Sequence, residues 1–461
     1  MGASVGKSVG IRVGRTVGSK VGRPDGWNVG SSVGTPVGND VGARDGIAVG
    51  WSEGTVVGEI VGPAVGSSEG IAVGDNVGTA VGSSEGKPVG DKVGDDEGAS
   101  EGRAVGDKEG DDEGASEGIA GCGKISADFA TALLRTEGAQ VVAVASSSAS
   151  PRAASFAADI SSRGGTVVDH CASYAELAAR DDIDVFYIGN LNTQHFETAM
   201  TCIKAGKNVV VEKPIGVSGK EADSLARAAQ EKGVFLMEGL WTRFLPAVVK
   251  ARAIIEAGEI GDIVAVHADF GFRCDDAPES RMFSPSLAGG GLNDIGIYPI
   301  AFASMAYGGE MPTLIKAVGS KHPTTGVDTS AGITALYGDT KAPGLGVITY
   351  NLRGHTPEEV VIVGTQARLI IKSPAHIATK LVVTRPEGRE GASEESFELP
   401  LPEPDADFTY NYPGSEGFQY QIEEVQRCIL AGLKECPKYT HKEMINIAKT
   451  MDEVREQLNA T

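Results

Sequence analysis

Glycine occupies every fourth position of this chain from Gly2 through Gly118 without a break. Valine usually precedes it, as in Val5-Gly6, Val9-Gly10 and Val13-Gly14. A period of four fits neither the strand repeat of two nor the helix repeat of 3.6, and it is not the three-residue period of collagen. Such a segment has few large side chains to offset the backbone entropy of ordering its glycines. The expectation for residues 1–117 is therefore a disordered or loosely repeating low-complexity segment without chemistry of its own. Two origins stay open: a soluble, self-repelling tail ending in Asp95-Asp96-Glu97 and Asp111-Asp112-Glu113, or repetitive coding sequence read into the amino terminus.

Bulk properties narrow the partners. A net charge of −21 argues against general nucleic-acid binding, which needs a basic surface, but leaves room for a local phosphate pocket. No run approaches the length of a membrane span. Cysteines at 122, 171, 202, 274, 428 and 436 stand singly, with no CxxC pair, which suggests free thiols in a reducing, cytoplasmic setting and no metal motif. The basic, acid-free stretch from Lys7 to Arg23 faintly suggests a transit peptide, yet its regular glycines oppose the amphipathic helix one requires.

After the repeat the chain reads as globular α/β. Gly121-Cys-Gly123-Lys124-Ile125-Ser126 precedes a helical run, Ala127–Thr136, and an apolar strand, Ala139–Ala145. This is the order of a dinucleotide-binding turn, where glycines admit a pyrophosphate to a helix amino terminus and the third small residue permits close packing. Gly121, Gly123, Lys124 and Ile125 are the cofactor positions expected there. Upstream, only Ile119 and Ala120 look like strand core, so the first strand is expected to be very short or lost. The strand to Ala145 ends in Ser146 and Ser147 rather than an acid, with Arg152 beyond. Absence of a carboxylate there favours NADP over NAD, serines and arginine meeting the 2′-phosphate.

Further strands are expected at Asp184–Gly189, Val209–Val211 and Phe235–Glu238. Polar residues gather at their ends: Asn192 and His195 after the first, Glu212-Lys213-Pro214 after the second. Asn192, His195, Glu212 and Lys213 are candidate cofactor contacts, His195 also a candidate for orienting substrate. Trp241, Arg243 and Phe244 are candidate substrate walls, with packing at a domain junction as the open alternative. From residue 247 the pattern changes to helix, then strands at Ile263–Phe272, Ala331–Tyr337, Gly346–Leu352, Glu359–Gly364, Ala367–Ile371 and Leu381–Thr384, closed by helices at 417–432 and 440–457. Short turns imply a large, mostly antiparallel sheet. Within it Asp294 and Tyr298 stand four apart and share a face if helical. A tyrosine hydroxyl can exchange a proton with a carbonyl or hydroxyl oxygen, while a carboxylate and a lysine tune it. Lys213, Asp294 and Tyr298 thus form the candidate catalytic set.

Gly121-x-Gly123, Glu212-Lys213-Pro214 and Gly289-Gly290-Gly291 with Asp294-x-Gly296-x-Tyr298 resemble the Gfo/Idh/MocA oxidoreductases. Met237-Glu238-Gly-Leu-Trp241-Thr-Arg243-Phe244 and the tyrosine at 298 are similar to the dihydrodiol and D-xylose dehydrogenase branch. The resemblance spans about 118–457. It implies a Rossmann-type domain at 118–246, an α+β substrate and dimerisation domain at 247–461, and Tyr298 as acid/base. It also implies NADP-dependent oxidation of a trans-dihydrodiol or an aldose, and a homodimer paired through the carboxyl-terminal sheet. Another sugar or inositol dehydrogenase, or a catalytically silent NADP-sensing or structural protein, are the alternatives.

Overall fold

The computed structural model describes residues 115–147, 151–338, 343–387 and 391–460, and the backbone of short strands between Ser8 and Glu85. The chain divides into two compact units, Met1–Gly110 and Asp111–Thr461. In the first, two-residue strands form four parallel sheets. Ala48 pairs with Ala64 and Ser68 with Ser84, so a sheet recurs after sixteen residues, four repeats of the sequence. The side chains of that unit, and with them the disordered or loosely repeating reading of residues 1–114, lie outside the described residues; residues 115–117 belong to the second unit.

In the second unit, six parallel strands make a doubly wound sheet: β1 (Ala115–Ala120), β2 (Ala139–Ala145), β3 (Asp169–Cys171), β4 (Val185–Ile188), β5 (Asn208–Glu212) and β6 (Leu236–Gly239). Their order is β3-β2-β1-β4-β5-β6. Helices α1 (Lys124–Leu134), α2 (Pro151–Gly164), α3 (Tyr174–Ala178), α4 (His195–Lys204) and α5 (Gly219–Lys232) connect them. Strands β4 and β5 are buried almost throughout, as a sheet covered on both faces requires. Ser173 and Ser218 cap α3 and α5 by accepting the N–H three residues on, and Gly233 ends α5 in the left-handed region.

The expectation of a lost first strand is corrected. β1 runs six residues, and its first four are the last unit of the glycine repeat, Ala115-Ser-Glu-Gly118. It is a central strand, pairing Glu117 with Val141 on β2 and with Val185 on β4. Glycine suits position 118 because a Cβ there would stand 2.8 Å from Ile183 Cδ1 and 3.3 Å from Phe186. Glu117 is buried in this central strand, an unusual tenant for such a position.

Helix α6 (Pro246–Glu256) leads into an eight-stranded sheet of β7 (Ile263–Gly271), β8 (Leu314–Lys321), β9 (Asp328–Tyr337), β10 (Gly344–Asn351), β11 (Val360–Gly364), β12 (Arg368–Ile371), β13 (Lys380–Glu387) and β14 (Gly391–Glu398). The order is β8-β9-β10-β7-β11-β12-β13-β14, antiparallel except for the β7–β10 pair. α7 (Ile297–Ala306) lies against it, buried along its whole length, and α8 (Phe418–Leu430) and α9 (His441–Ala460) close the unit. Among the described residues no helix is long and apolar enough to cross a membrane.

Candidate active site

The site begins where β1 ends. Gly121 has φ +110°, and a Cβ there would fall 2.7 Å from Asn190 N and 2.8 Å from Gly189 O, so only glycine lets the turn pass under the end of β4. Ser126, third small residue of the motif, donates to Gly189 O at 3.2 Å and packs α1 against β4. Gly123 precedes α1 without any side-chain cap, and Gly123 and Lys124 are exposed while Ile125 is half-buried. The first N–H groups of α1 therefore face outward, where an anion would be seated. Beside them Asn190 donates to Thr198 Oγ1, but its buried Oδ1 receives no hydrogen bond from the described residues. An outward helix end, a glycine cradle and an unsatisfied buried acceptor fit a dinucleotide.

At the end of β2, Ser146 is buried and Ser147 exposed, and Arg152 stands in the first turn of α2. Burial pushes the Cys122 thiol up to about 11, partly opposed by the charge of Arg152. Arg152 thus lies within electrostatic reach of the Gly121–Gly123 turn.

Lys213 follows β5 at a cis Lys213–Pro214 bond. Its Nζ donates to the carbonyl of Asp294 at 2.7 Å and lies 5.1 Å from the centre of the Tyr298 ring. Asp294 sits in a wide π-turn (Leu292–Gly296) that runs into α7, where Pro299 offers no N–H to the turn behind it. The expected carboxylate contact to Lys213 is made by the main chain instead, and the Asp294 carboxylate accepts from Arg281 at 3.0 Å. Trp241 Nε1 donates to the Tyr298 hydroxyl at 3.3 Å. Burial raises the Tyr298 pKa, and the Lys213 charge and the Trp241 bond offset only part of that. Burial works against the Lys213 charge too, but Tyr298 and Asp294 outweigh it and hold the lysine above its ordinary value.

Behind Lys213 the carboxylates are structural. Glu212 accepts from Tyr187 at 2.8 Å, and burial raises it to about 7. His195 is buried, with Nδ1 2.7 Å from Pro214 O and Nε2 3.3 Å from Asn190 O. Burial lowers its pKa to about 4, so the ring is neutral with a single N–H, which Nδ1 donates to Pro214 O across the shorter contact, holding the Lys213–Pro214 turn. Asn192 Nδ2 lies 3.5 Å from Ala288 O, joining that loop to the other domain. Arg243 departs from its expected role as a substrate wall: it is buried, paired with Glu443 at 2.8 Å and set over the Tyr439 ring. Phe244 is likewise core. The junction reading applies to both, and only Trp241 of the three reaches Tyr298.

Sequence reasoning passed over Arg281, Phe270, His376 and Tyr412. Phe270 and His376 stack at 4.5 Å and line the Tyr298 ring at 5.6 and 5.7 Å. Half-exposed Tyr412 lies within electrostatic reach of Arg281, Asp294 and Lys213. Its segment is anchored by Asp128, which accepts from Asn411 N, Tyr412 N and Ser415 Oγ at 2.7 to 2.9 Å. Phe270 lies on the expected strand Ile263–Phe272, in step with buried Val266 and Ala268, but nothing there marked it as part of the site; the other three belong to no periodic pattern, and a lone aspartate in the middle of α1 was the one available signal for Tyr412.

Comparison with known proteins agrees with this architecture. Residues 116–240 match the oxidoreductase family with an NAD-binding Rossmann fold, and 248–370 match the GFO/IDH/MocA carboxyl-terminal domain. The chain is 37% identical over 344 residues to trans-1,2-dihydrobenzene-1,2-diol dehydrogenase of Danio rerio, covering 74% of this chain and 96% of that enzyme. It is 35% identical over 350 residues to the Homo sapiens enzyme of the same name, again 74% and 96%. Among solved structures, levoglucosan dehydrogenase with NADH and levoglucosan superposes with a TM-score of 0.63 at 20% identity, over 75% of this chain and 98% of that one. A 3-ketoreductase from Actinomadura kijaniata with NADP and TDP-benzene gives 0.60 at 23%, over 75% and 98%. The latter two speak to the fold alone. With both domain models matched and relatives aligned over nearly their full length, the chain belongs to the Gfo/Idh/MocA family of NAD(P)-dependent oxidoreductases.

Proposed function

We propose that this enzyme oxidises a hydroxyl of a trans-dihydrodiol or of an aldose such as D-xylose, with NADP as hydride acceptor. The observation that carries the proposal is the convergence of Lys213 Nζ, the Asp294 backbone and the Tyr298 ring, with Trp241 on the Tyr298 hydroxyl. The relatives named for dihydrodiol oxidation support the substrate class. Bound nicotinamide supplies the acceptor for the carbinol hydride. Tyr298 takes the hydroxyl proton as the carbonyl forms, and Lys213 stabilises the negative charge passing through that oxygen. Trp241, Phe270 and His376 gather around Tyr298 and would meet the face of a ring, and the Arg281–Asp294 pair would give it one polar edge. We place cofactor contacts at Gly121, Gly123, Lys124, Ile125, Ser146, Ser147, Arg152 and Asn192, with His195 and Glu212 supporting them from behind.

The same reading divides the chain into the repeat at 1–117, the nucleotide domain at 118–246 and the substrate domain at 247–461, with β1 carrying the first boundary back to Ala115. It makes the enzyme a cytoplasmic homodimer paired through the carboxyl-terminal sheet. Exposed Leu314 and Val318 on β8 support that pairing, and six free cysteines support a reducing compartment.

The test is a turnover screen of the full chain with NADP and NAD against trans-dihydrobenzenediol, D-xylose, D-glucose and myo-inositol. Turnover of the diol or xylose with NADP is expected. Turnover confined to inositol would replace this reading with the inositol one, and nucleotide binding with no turnover anywhere would leave a silent sensor.

Two smaller effects follow from the geometry. Arg152→Ala is expected to weaken NADPH binding by about tenfold and leave NADH nearly unchanged, as loss of one charged contact to a phosphate does. Fluorescence titration with both nucleotides checks it, and equal losses would remove Arg152 from the 2′-phosphate. The pH dependence comes from Tyr298, whose pKa burial holds above the ordinary tyrosine value. Its ionised fraction therefore climbs about tenfold per pH unit through the neutral range, and kcat/KM for oxidation should climb with it between about pH 6 and 9. A flat profile in the wild type would remove Tyr298 as the base.

A further inference from the structure

One chemically distinctive cluster lies away from the hydride site. Glu424 and Cys428 stand one turn apart on α8 and so share a face, and Cys436 returns to them from the turn that follows. An isolated bridge between Cys436 and Tyr439 fixes that return. Glu424 Oε1 lies 3.4 Å from Cys436 Sγ and 3.8 Å from Cys428 Sγ, and the three donor atoms fall within 4.8 Å of one another. All three residues are buried.

Those spacings have a chemical meaning. Around a tetrahedral ion with bonds of about 2.3 Å to sulfur and about 2.0 Å to oxygen, a sulfur and an oxygen stand about 3.5 Å apart and two sulfurs about 3.8 Å apart. The sulfur–oxygen gaps here match that geometry before any ion enters. The carboxylate is also held as metal-binding carboxylates usually are, by an outer layer: Arg427 donates to Oε1 at 2.6 Å and Lys438 to Oε2 at 2.7 Å. These cations offset the charge that two thiolates and a carboxylate would gather in a dry interior.

We propose that Glu424, Cys428 and Cys436 form a binding site for one thiophilic divalent ion of the Zn²⁺ class. Each thiol gives its proton to solvent as its sulfur–metal bond forms, so binding releases two protons and involves no redox change. Water completes the fourth position. The competing reading is two buried thiols donating weak hydrogen bonds to the Glu424 carboxylate, which need no ion. The site adjoins the catalytic frame: Tyr439, three residues beyond Cys436, donates to Glu238, and Glu238 Oε1 accepts from Ile215 N at 2.7 Å, two residues after Lys213.

The test is titration of the full chain, reduced and stripped by chelator, with Co²⁺ as a coloured stand-in, followed by Zn²⁺. One equivalent is expected, with a near-ultraviolet sulfur-to-cobalt charge-transfer band that Zn²⁺ abolishes. Cys428→Ser and Cys436→Ser should each weaken binding by about 100-fold, whereas Cys202→Ser, a buried thiol on α4, should leave it intact. Zn²⁺ should also raise the thermal midpoint of the wild type, a readout independent of whether the variants fold. Absence of the charge-transfer band in wild type, or its persistence in both cluster variants, overturns the site.

Discussion

Lys213→Met is expected to lower kcat for alcohol oxidation by about 10³-fold while leaving the nucleotide Kd within about threefold. Among the described residues the ammonium makes one hydrogen bond, to the Asp294 carbonyl, and it stands over the Tyr298 ring. Methionine keeps the length and most of the volume, so the turn at cis Pro214, held by His195 and by Glu238 through Ile215, has little reason to move. What disappears is the positive charge beside an oxygen that becomes anionic in the transition state. The same loss raises the Tyr298 pKa further, because the lysine is the largest influence opposing burial there. The alkaline limb of the rate profile should therefore move to higher pH in the variant. Stopped-flow measurement of NADPH formation separates the chemical step from release. A kcat within tenfold of wild type would show that Lys213 positions substrate without stabilising charge.

How far the sequence carried this site depended on local pattern. Lys213 was legible because it follows a strongly apolar run, where an open α/β sheet gathers its ligands, and Asp294 and Tyr298 because they stand four apart in one segment. That Lys213 would meet the backbone of Asp294 was not, since a wide helical turn leaves no mark on periodicity. Arg243 was misread for a related reason: Trp241–Phe244 is a single tight turn, and its successive side chains diverge. Trp241 consequently reaches Tyr298 while Arg243 enters the junction with Glu443. Strands β8 and β14 escaped notice because they carry exposed positions along most of their length, so neither shows a clean apolar alternation. Tyr412 lies in an aperiodic segment whose place is set by Asp128, 284 residues earlier.

Glu117→Val is expected to stabilise the catalytic unit by on the order of 2 kcal/mol at pH 8 and by much less at pH 5. Valine is the residue most repeats carry before their glycine, and it favours a strand. Position 117 is the point at which the repeat becomes the central strand of the nucleotide sheet, between Val141 and Val185. Burial there raises the Glu117 pKa well above its ordinary value, and nearby Asp184 raises it more. The sign follows from linkage. In the unfolded chain the carboxyl ionises near its ordinary pKa of about 4.3, whereas the folded chain retains the proton to higher pH. Glu117 therefore costs nothing in ionisation below about pH 4, and stability is lost progressively as pH rises through the folded value. Valine removes that loss, so the gain in stability must grow with pH. Glu117→Gln, nearly isosteric and without a proton to lose, should flatten the pH dependence in the same range while recovering less stability. Urea denaturation of the three proteins at pH 5, 6.5 and 8 checks both statements. Wild-type and valine curves that stay parallel across that range would mean the carboxylate finds a compensating partner, and the join between repeat and fold would then carry no penalty.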